Sequence, residues 1–379
     1  MPLLDQDLPW LLAEARNDPG AAQRIIEAFA ERVQSLQRQM DELRAENALL
    51  KRTGGLQASN ELTQRHKTNL RDLRQLAERH RLNRDIVTLM SFTGHAMQWP
   101  APAPIEQTLP LATPPEEPVR DLKPMFLAAG ARFGSVLAVT SGLRFGLVFG
   151  LSLPLSENVD WRDARPAAAL GLARAERVEA VCAVDELLPP RQVILVTRRG
   201  WVRLMSWPLV ENLSVSGQSI TLPVEGDSPA WLGAGESEGD LLVLTRNGRW
   251  TRFPIGLIPP AGSLGVALDG DDDVVAAVWL GKDTPAVWFI GADGAMCAVA
   301  AGALEAHKKP GGKAAQLIRR FVALSCYPIH ARRSDVALLL SNEGEFHVVN
   351  ATGLPVTGKL SEVQTLNVIN QRLVAATLL

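Results

Sequence analysis

Residues 240–280 read DLLVLTRNGRWTRFPIGLIPPAGSLGVALDGDDDVVAAVWL. An apolar β-run, Leu241 to Thr245, turns through Arg246-Asn247-Gly248 and returns as Arg249 to Phe253. Asn-Gly between two β-rich runs predicts a hairpin, because both residues tolerate the positive φ of a tight turn. A Pro/Gly loop follows, then a short apolar run at 264–268, an acidic turn at 269–273 and a last apolar run at 274–280. Three or four short strands in about forty residues is the size of one propeller blade.

A blade cannot bury its faces alone, so the pattern has to recur. It does. QVILVTRRGWVRLM (192–205), PAVWFIGADGAMCAV (285–299) and DVALLLSNEGEFHVV (335–349) repeat the design of apolar run, polar turn, Gly and second run. Gly200, Gly248, Gly294 and Gly344 lie roughly 46 to 50 residues apart. A looser copy, SVLAVTSGLRFGLV (135–148), comes first, which predicts about five blades. Each hairpin is preceded by a further apolar strand, near 124, 178, 230, 274 and 322. A sixth such strand, LVAATLL (373–379), has no hairpin after it. It is expected to pair with the first blade and close the ring, which would remove an exposed sheet edge.

Composition narrows the class. With 46% hydrophobic residues the chain can bury a large core, and its formal charge of −2 announces no global affinity for nucleic acid. Cys182, Cys297 and Cys326 are odd in number, form no CxxC and sit in strand-like runs, as buried thiols in a reducing compartment do. The N-terminus carries acidic residues where a secretory leader has a basic region, and no uncharged apolar run reaches about 18 residues. A soluble cytoplasmic protein, without membrane association, is expected. His66, His80 and His95 lack metal-ligand spacing, and neither a P-loop nor a nucleophile–base pair is present. The residues therefore predict no metal, no cofactor and no catalysis.

The first 98 residues read as helical. A short amphipathic helix at 8–17 is followed by Asp18-Pro19, an N-cap with Pro at the first helical position. Ile26, Phe29, Val33, Leu36, Met40, Leu43, Asn47 and Leu50 then alternate by three and four. With Ile26 at an a position Asn47 also falls at a, where a lone Asn favours a parallel, in-register homodimer. The plainer alternative is an amphipathic helix packed on its own chain. KRTGG (51–55) breaks the pattern, and a second helix is expected from near Ser59 to about His95, with Ile86, Leu89 and Met90 among its apolar positions and a cationic side. Whether it folds back or extends the coiled coil is open. Residues 99–121 hold seven prolines without periodicity, a semi-rigid linker to a β domain at 122–379.

The string TRNGRWTRFP…GSLGVAL…DDDVVAAVWLG resembles the C-terminal β-pinwheel of the DNA gyrase A subunit. That family repeats an apolar strand, Thr-x-x-Gly, a basic return ending in Arg-Phe-Pro, a Gly loop, an apolar-Gly-Val strand and Asp-x-Val-Val. The resemblance is specific over 240–280, fair over 178–215 and 322–350, and weak elsewhere. It implies propeller-like blades that exchange strands with their neighbours, and duplex DNA wrapped on the outer rim. The family typically has six blades, with fewer in its topoisomerase IV paralogue. It also carries a wrapping box, Gln-Arg-Arg-Gly-Gly-Lys-Gly, in its first blade. The nearest string here is Lys308-Lys309-Pro310-Gly311-Gly312-Lys313-Ala314, which keeps Gly-Gly-Lys but replaces an Arg by Pro310 and a Gly by Ala314, after the fourth predicted hairpin. Glycines let backbone approach phosphates while lysines neutralise them. The family's cleavage domain has no counterpart, and the sole tyrosine, Tyr327, stands in LSCYPIH rather than in the family's Arg-Tyr-Thr setting.

Strand alternation assigns Val202/Leu204, Met296/Ala298 and Phe346/Val348 to the core. Candidate DNA-binding cations gather at the turns of two hairpins, Arg198, Arg199, Arg203, Arg246 and Arg249, and in the box-like loop with Arg319 and Arg320 after it. Acidic residues are expected elsewhere, in loops between strands. Two functions are consistent with this. One is a non-catalytic, sequence-independent DNA-bending protein of the bacterial nucleoid, dimerised by its coiled coil. The other is a propeller scaffold that holds another protein, for instance a topoisomerase or a chromosome-associated factor.

Overall fold

The computed structural model describes residues 86–100, 109–110, 125–130, 134–156, 161–187, 191–330, 335–351 and 354–379. The heptad helix, its dimer positions and the cationic stretch up to residue 85 lie outside the described residues. What is described belongs to one compact unit, Arg84–Leu379.

Six hairpins, not five, are found among the described residues. Five are the ones the repeat predicts: Val136–Thr140 with Phe145–Val148, Gln192–Thr197 with Trp201–Met205, Asp240–Thr245 with Arg249–Pro254, Ala286–Gly291 with Ala295–Ala300, and Val336–Ser341 with Glu345–Asn350. The sixth is Ile86–Met90 with His95–Pro100, where the helix was expected to end. It becomes blade 1 and the others blades 2 to 6. Trp99 and Pro100 therefore end a strand, and the β unit begins well before residue 122.

Each hairpin takes as its innermost strand the apolar run that follows it, not the one before. Phe126–Gly130 pairs with Ile86–Met90, Val178–Ala183 with Val136–Thr140, Pro229–Gly235 with Gln192–Thr197, and so on to Leu373–Leu378, which pairs with Val336–Ser341. The last strand thus completes its own blade rather than joining the first. The ring closes by packing instead. Val87, Leu89, Met97 and Trp99 of blade 1 share one apolar cluster with Val336, Leu338, Phe346 and Ala375 of blade 6. The Trp99 and Phe346 rings lie 4.9 Å apart, and the Ala129 N–H donates to Thr377 Oγ1 at 3.3 Å.

Between its hairpin and its inner strand each blade sends out a loop that supplies the outer strand of the blade before it. Arg165–Pro166 pairs with blade 1, Ser263–Leu264 with blade 3, Ala315–Gln316 with blade 4, Leu366–Asn367 with blade 5, and Leu109–Pro110 with blade 6. Blade 2 receives only a bridge between Arg144 and Ser219. Part of the proline-rich stretch is therefore a lent edge strand.

The hairpin turns show how the sequence directs this exchange. The asparagine of Asn247-Gly248 does not take a positive φ; the glycine alone does, at +68°. Gly248 N–H donates to the Thr245 carbonyl at 3.0 Å, and the Thr245 hydroxyl accepts the Arg249 N–H at 3.2 Å. The same Thr/Ser-x-x-Gly turn recurs at Ser91, Thr197 and Ser341, each hydroxyl taking an N–H four residues on. The glycine carbonyl then receives the next blade's loop: Gly94 from Ala167, Gly200 from Gly265, Gly248 from Leu317. The approach is close enough to exclude a side chain. A Cβ on Gly248 would meet the Phe321 carbonyl at 2.5 Å, and one on Gly294 the Ile369 carbonyl at 1.9 Å. Blade 2 makes the turn with Leu143 at φ +60°, the one repeat without the glycine.

The core is six wedges, one between each pair of neighbouring blades. Alternation along a strand therefore separates wedge from wedge, not core from solvent. In Ala286–Gly291, Val287 and Phe289 face blade 4 while Trp288 and Ile290 face blade 6. This explains the near-continuous apolar runs, as in any sheet buried on both faces. Thr251, Ala295 and Cys297, which alternate with such core residues, are for the same reason buried as well.

Candidate nucleic-acid interface

The basic residues fall into two groups that the fold treats differently. The first sits at the turns of blades 3 and 4. The Arg198 carbonyl accepts the Val274 N–H at 2.9 Å and the Arg246 carbonyl the Ala323 N–H at 2.8 Å, so each turn is clasped to the next blade's inner strand. This brings the acidic loop 269–273 against the arginines. Arg198 contacts Glu179 at 3.0 Å and Asp273 at 3.5 Å; Arg246 contacts Asp273 at 2.6 Å; Arg177 contacts Glu179 at 2.6 Å. Arg249 pairs with Asp269 at 2.5 Å. The Arg203 Nε is buried, and Arg199 is exposed with its N–H bonded to Asp227.

Magnitudes decide what these arginines are free to do. The Glu179 carboxylate is 1% exposed and is shared by Arg177 and Arg198; leaving a buried charge wholly unpaired costs about 3–5 kcal/mol, and losing one of two partners costs part of that. A surface ion contact with a phosphate returns on the order of 1 kcal/mol. Arg198 therefore stays with Glu179.

The second group lies on the loop that blade 5 lends to blade 4. Lys308, Lys309, Lys313, Arg319 and Arg320 are all exposed, and Arg320 has a φ of +65°. The loop leaves blade 5 pinned by Arg252, whose Nη1 donates to the Ala301 and Leu304 carbonyls at 2.6 and 3.0 Å while its Nε contacts Asp240 at 2.7 Å. The His307 N–H donates to the Arg252 carbonyl at 2.7 Å. Gly311, at φ +81°, donates its N–H to the Gly265 carbonyl at 2.9 Å, and Gly312–Lys313 runs parallel to Val266–Ala267. A Cβ on Gly312 would stand 3.2 Å from the His307 ring. Ala315–Gln316 then pairs with Arg249–Trp250. The box-like string is thus held as backbone along the outer edge of blade 4, with its lysines outward. Arg252 was not among the predicted residues, although the Arg-Phe-Pro ending of the hairpin marks it.

The rim is not uniform. Residues 204–245 contain no Lys, Arg or His and carry Glu211, Glu225, Asp227, Glu236, Glu238 and Asp240. Their loop includes the helix Trp207–Ser216, which packs Val210, Trp207 and Leu213 against blade 2 and exposes Leu209 and Val215. At the blade 2 turn Glu176 is bound by the Thr140 hydroxyl, the Arg144 guanidinium and the Ala173 N–H. The Arg144 contact leads in holding its carboxyl well below the usual range, at about 2. The three thiols are buried; burial pushes Cys297 up to about 12 and raises Cys326 further. Tyr327 lies in the inner strand Ala323–Ile329, opposite Trp288.

No family model matches the chain, and no curated protein does. Solved structures share the fold, two of them over most of this chain. The DNA gyrase A C-terminal domain superposes with a TM-score of 0.62 at 13% identity, over 77% of this chain and 99% of that one. The C-terminal domain of DNA topoisomerase IV gives 0.50 at 13% identity, over 78% and 93%. The fold is that of their β-pinwheel.

Proposed function

We propose that this is a non-catalytic, sequence-independent binder of duplex DNA that bends DNA along its outer rim, with the loop 301–322 as the principal contact. The observation that carries this is the exposure of Lys308, Lys309, Lys313, Arg319 and Arg320 on one edge-closing loop of a gyrase-type β-pinwheel. Its lysines neutralise phosphates and its glycines keep the backbone low against blade 4. Arg199 and Arg203 are secondary contacts. The heptad residues Ile26 to Leu50 pair two chains, so that two weak rims act as one binder by raising the local concentration of the second. The place of action is the cytoplasmic nucleoid; among the described residues no helix is long and apolar enough to cross a membrane.

A second reading has its own support. The arc formed by the loop 206–228 has no Lys, Arg or His of its own and exposes Glu211 and Glu225 beside Leu209 and Val215, as a surface for a protein partner does.

The test is ligase-driven ring closure of a duplex of about one persistence length, ~150 base pairs, titrated with the full chain at several salt concentrations, with binding itself read by gel shift. Binding that brings the ends together, and weakens steeply with salt, is expected. Absence of binding at low salt would sink the DNA reading and leave the scaffold. Binding with no approach of the ends would remove bending alone.

A further inference from the structure

The loop 301–322 carries one ionisable side chain that its lysines and arginines leave out of account. His307 is exposed at the head of the box-like string, directly before Lys308 and Lys309. Its backbone is anchored: the N–H donates to the Arg252 carbonyl at 2.7 Å, a tie between this loop and the outer edge of blade 4. Its ring is seated as well. A Cβ on Gly312 would stand 3.2, 3.2 and 3.3 Å from the ring atoms Cγ, Nδ1 and Cδ2. Near-equal distances to three ring atoms mean that the imidazole lies face-on over this glycine, next to Lys313 in the chain. A methyl group at Gly312 would crowd the ring off its seat.

The charges around the ring are nearly all of one sign. Over 301–322, Lys308, Lys309, Lys313, Arg319 and Arg320 stand against a single carboxylate, Glu305. The elements packed on the string change this little. On the blade 4 hairpin Arg252 pairs with Asp240 at 2.7 Å and Arg249 with Asp269 at 2.5 Å. Residues 255–268, whose Val266–Ala267 runs beside Gly312–Lys313, contain no ionisable side chain. Among the described residues neither ring nitrogen of His307 has a hydrogen-bond partner. A positive charge on this imidazole therefore has no counter-charge bonded to it within the protein.

Histidine is the side-chain type whose charge changes between pH 5 and 8. A phosphate favours the charged form of a basic group beside it, and each further phosphate neutralised strengthens binding and steepens its salt dependence. We propose that His307 is a further phosphate contact of this loop, made by the protonated imidazole, so that duplex binding takes up a proton here. The proposal rests on the DNA reading of the loop and adds a pH dependence to it: affinity rises as pH falls.

The experiment is a fluorescence-anisotropy titration of a labelled duplex with the full chain at pH 6 and at pH 8, each at several salt concentrations. Wild type is expected to bind about threefold or more tightly at pH 6, with a log–log salt slope steeper by up to roughly 0.9. His307→Gln, which cannot take up the proton, is expected to bind alike at both pH values, at the wild-type pH 8 level. His307→Lys, charged throughout, should also bind alike at both, at the wild-type pH 6 level. The two variants bracket the wild type, so either decides should the other fail to fold. The five other histidines are the same in all three proteins. A pH dependence that survives in His307→Gln therefore overturns the assignment, as does wild-type affinity that is equal at pH 6 and pH 8; both outcomes leave the DNA reading in place. No binding at pH 6 and low salt overturns that reading and this contact with it.

Discussion

The loop that blade 5 lends to blade 4 and the loop that blade 3 lends to blade 2 do the same structural job with opposite surfaces. Each leaves its hairpin, crosses the neighbour's turn and covers that neighbour's outer edge. Leu317 N–H donates to the Gly248 carbonyl at 2.9 Å, and Ile220 N–H to the Leu143 carbonyl at 3.0 Å. Yet the first loop presents Lys308, Lys309, Lys313, Arg319 and Arg320, and the second presents Glu211 and Glu225 with exposed Leu209 and Val215. The edge is closed by backbone, so the outward side chains are free to differ. Architecture and surface chemistry are separable in this ring.

Separability has consequences that mutation can check, and the largest attacks the shared backbone. Gly294→Ala places a Cβ against the Ile369 carbonyl at a φ of +80°. A cost of about 3 kcal/mol or more is expected, read in denaturant melts, and a neutral result would break the claim that lent loops press on turn glycines.

Charge reversal of the first loop should do the converse. Lys308→Glu/Lys309→Glu/Lys313→Glu is expected to leave the melting transition in place and to lower duplex affinity on the order of 10²-fold.

The blade 2 turn, which lacks the glycine, leans on Glu176. Removing its charged hydrogen bonds with Glu176→Gln is expected to cost about 2 kcal/mol at neutral pH. The folded carboxyl is depressed to about 2, so this stabilisation is present above the ordinary carboxylate range and is lost as pH falls from about 4.5 towards about 2. Wild type and variant should therefore converge in acid; a gap constant with pH would assign the loss to shape rather than charge.

The smallest effect concerns the second loop. Glu211→Lys/Glu225→Lys is expected to tighten DNA binding about threefold to tenfold, measured by the same titration. No gain at all would mean that the arc lies off the path of the DNA.

Much of the ring was legible in the sequence because the turn is written locally. Thr245 and Gly248 stand at a fixed spacing, and the same spacing recurs at Thr197–Gly200 and Ser341–Gly344. Blade 1 carries the signal too, in Ser91-Phe92-Thr93-Gly94 between two apolar runs. It was obscured because Leu82, Ile86, Leu89 and Met90 also satisfy a three-and-four helical spacing. Which inner strand serves which hairpin was not legible. Apolar runs alternate with hairpins along the chain, and order alone does not tell the run before from the run after.

The site was legible in part. The exposed loop cations follow from a Lys/Gly string between two strands. The pairing of Arg198 with Asp273 does not, because it depends on blades 3 and 4 lying side by side and on the clasp between Val274 and the Arg198 carbonyl. Three turn arginines that read as a DNA stripe are tied to carboxylates for that reason.

The central claim is that DNA is held by the lysines of the blade 5 loop. Its most direct test is the salt dependence of duplex binding by the full chain and by the triple lysine reversal. With roughly 0.9 in log–log slope per phosphate neutralised, the variant should lose about 2.7 of the wild-type slope. Equal slopes for the two proteins would contradict the account and move the DNA, if it binds, to another surface.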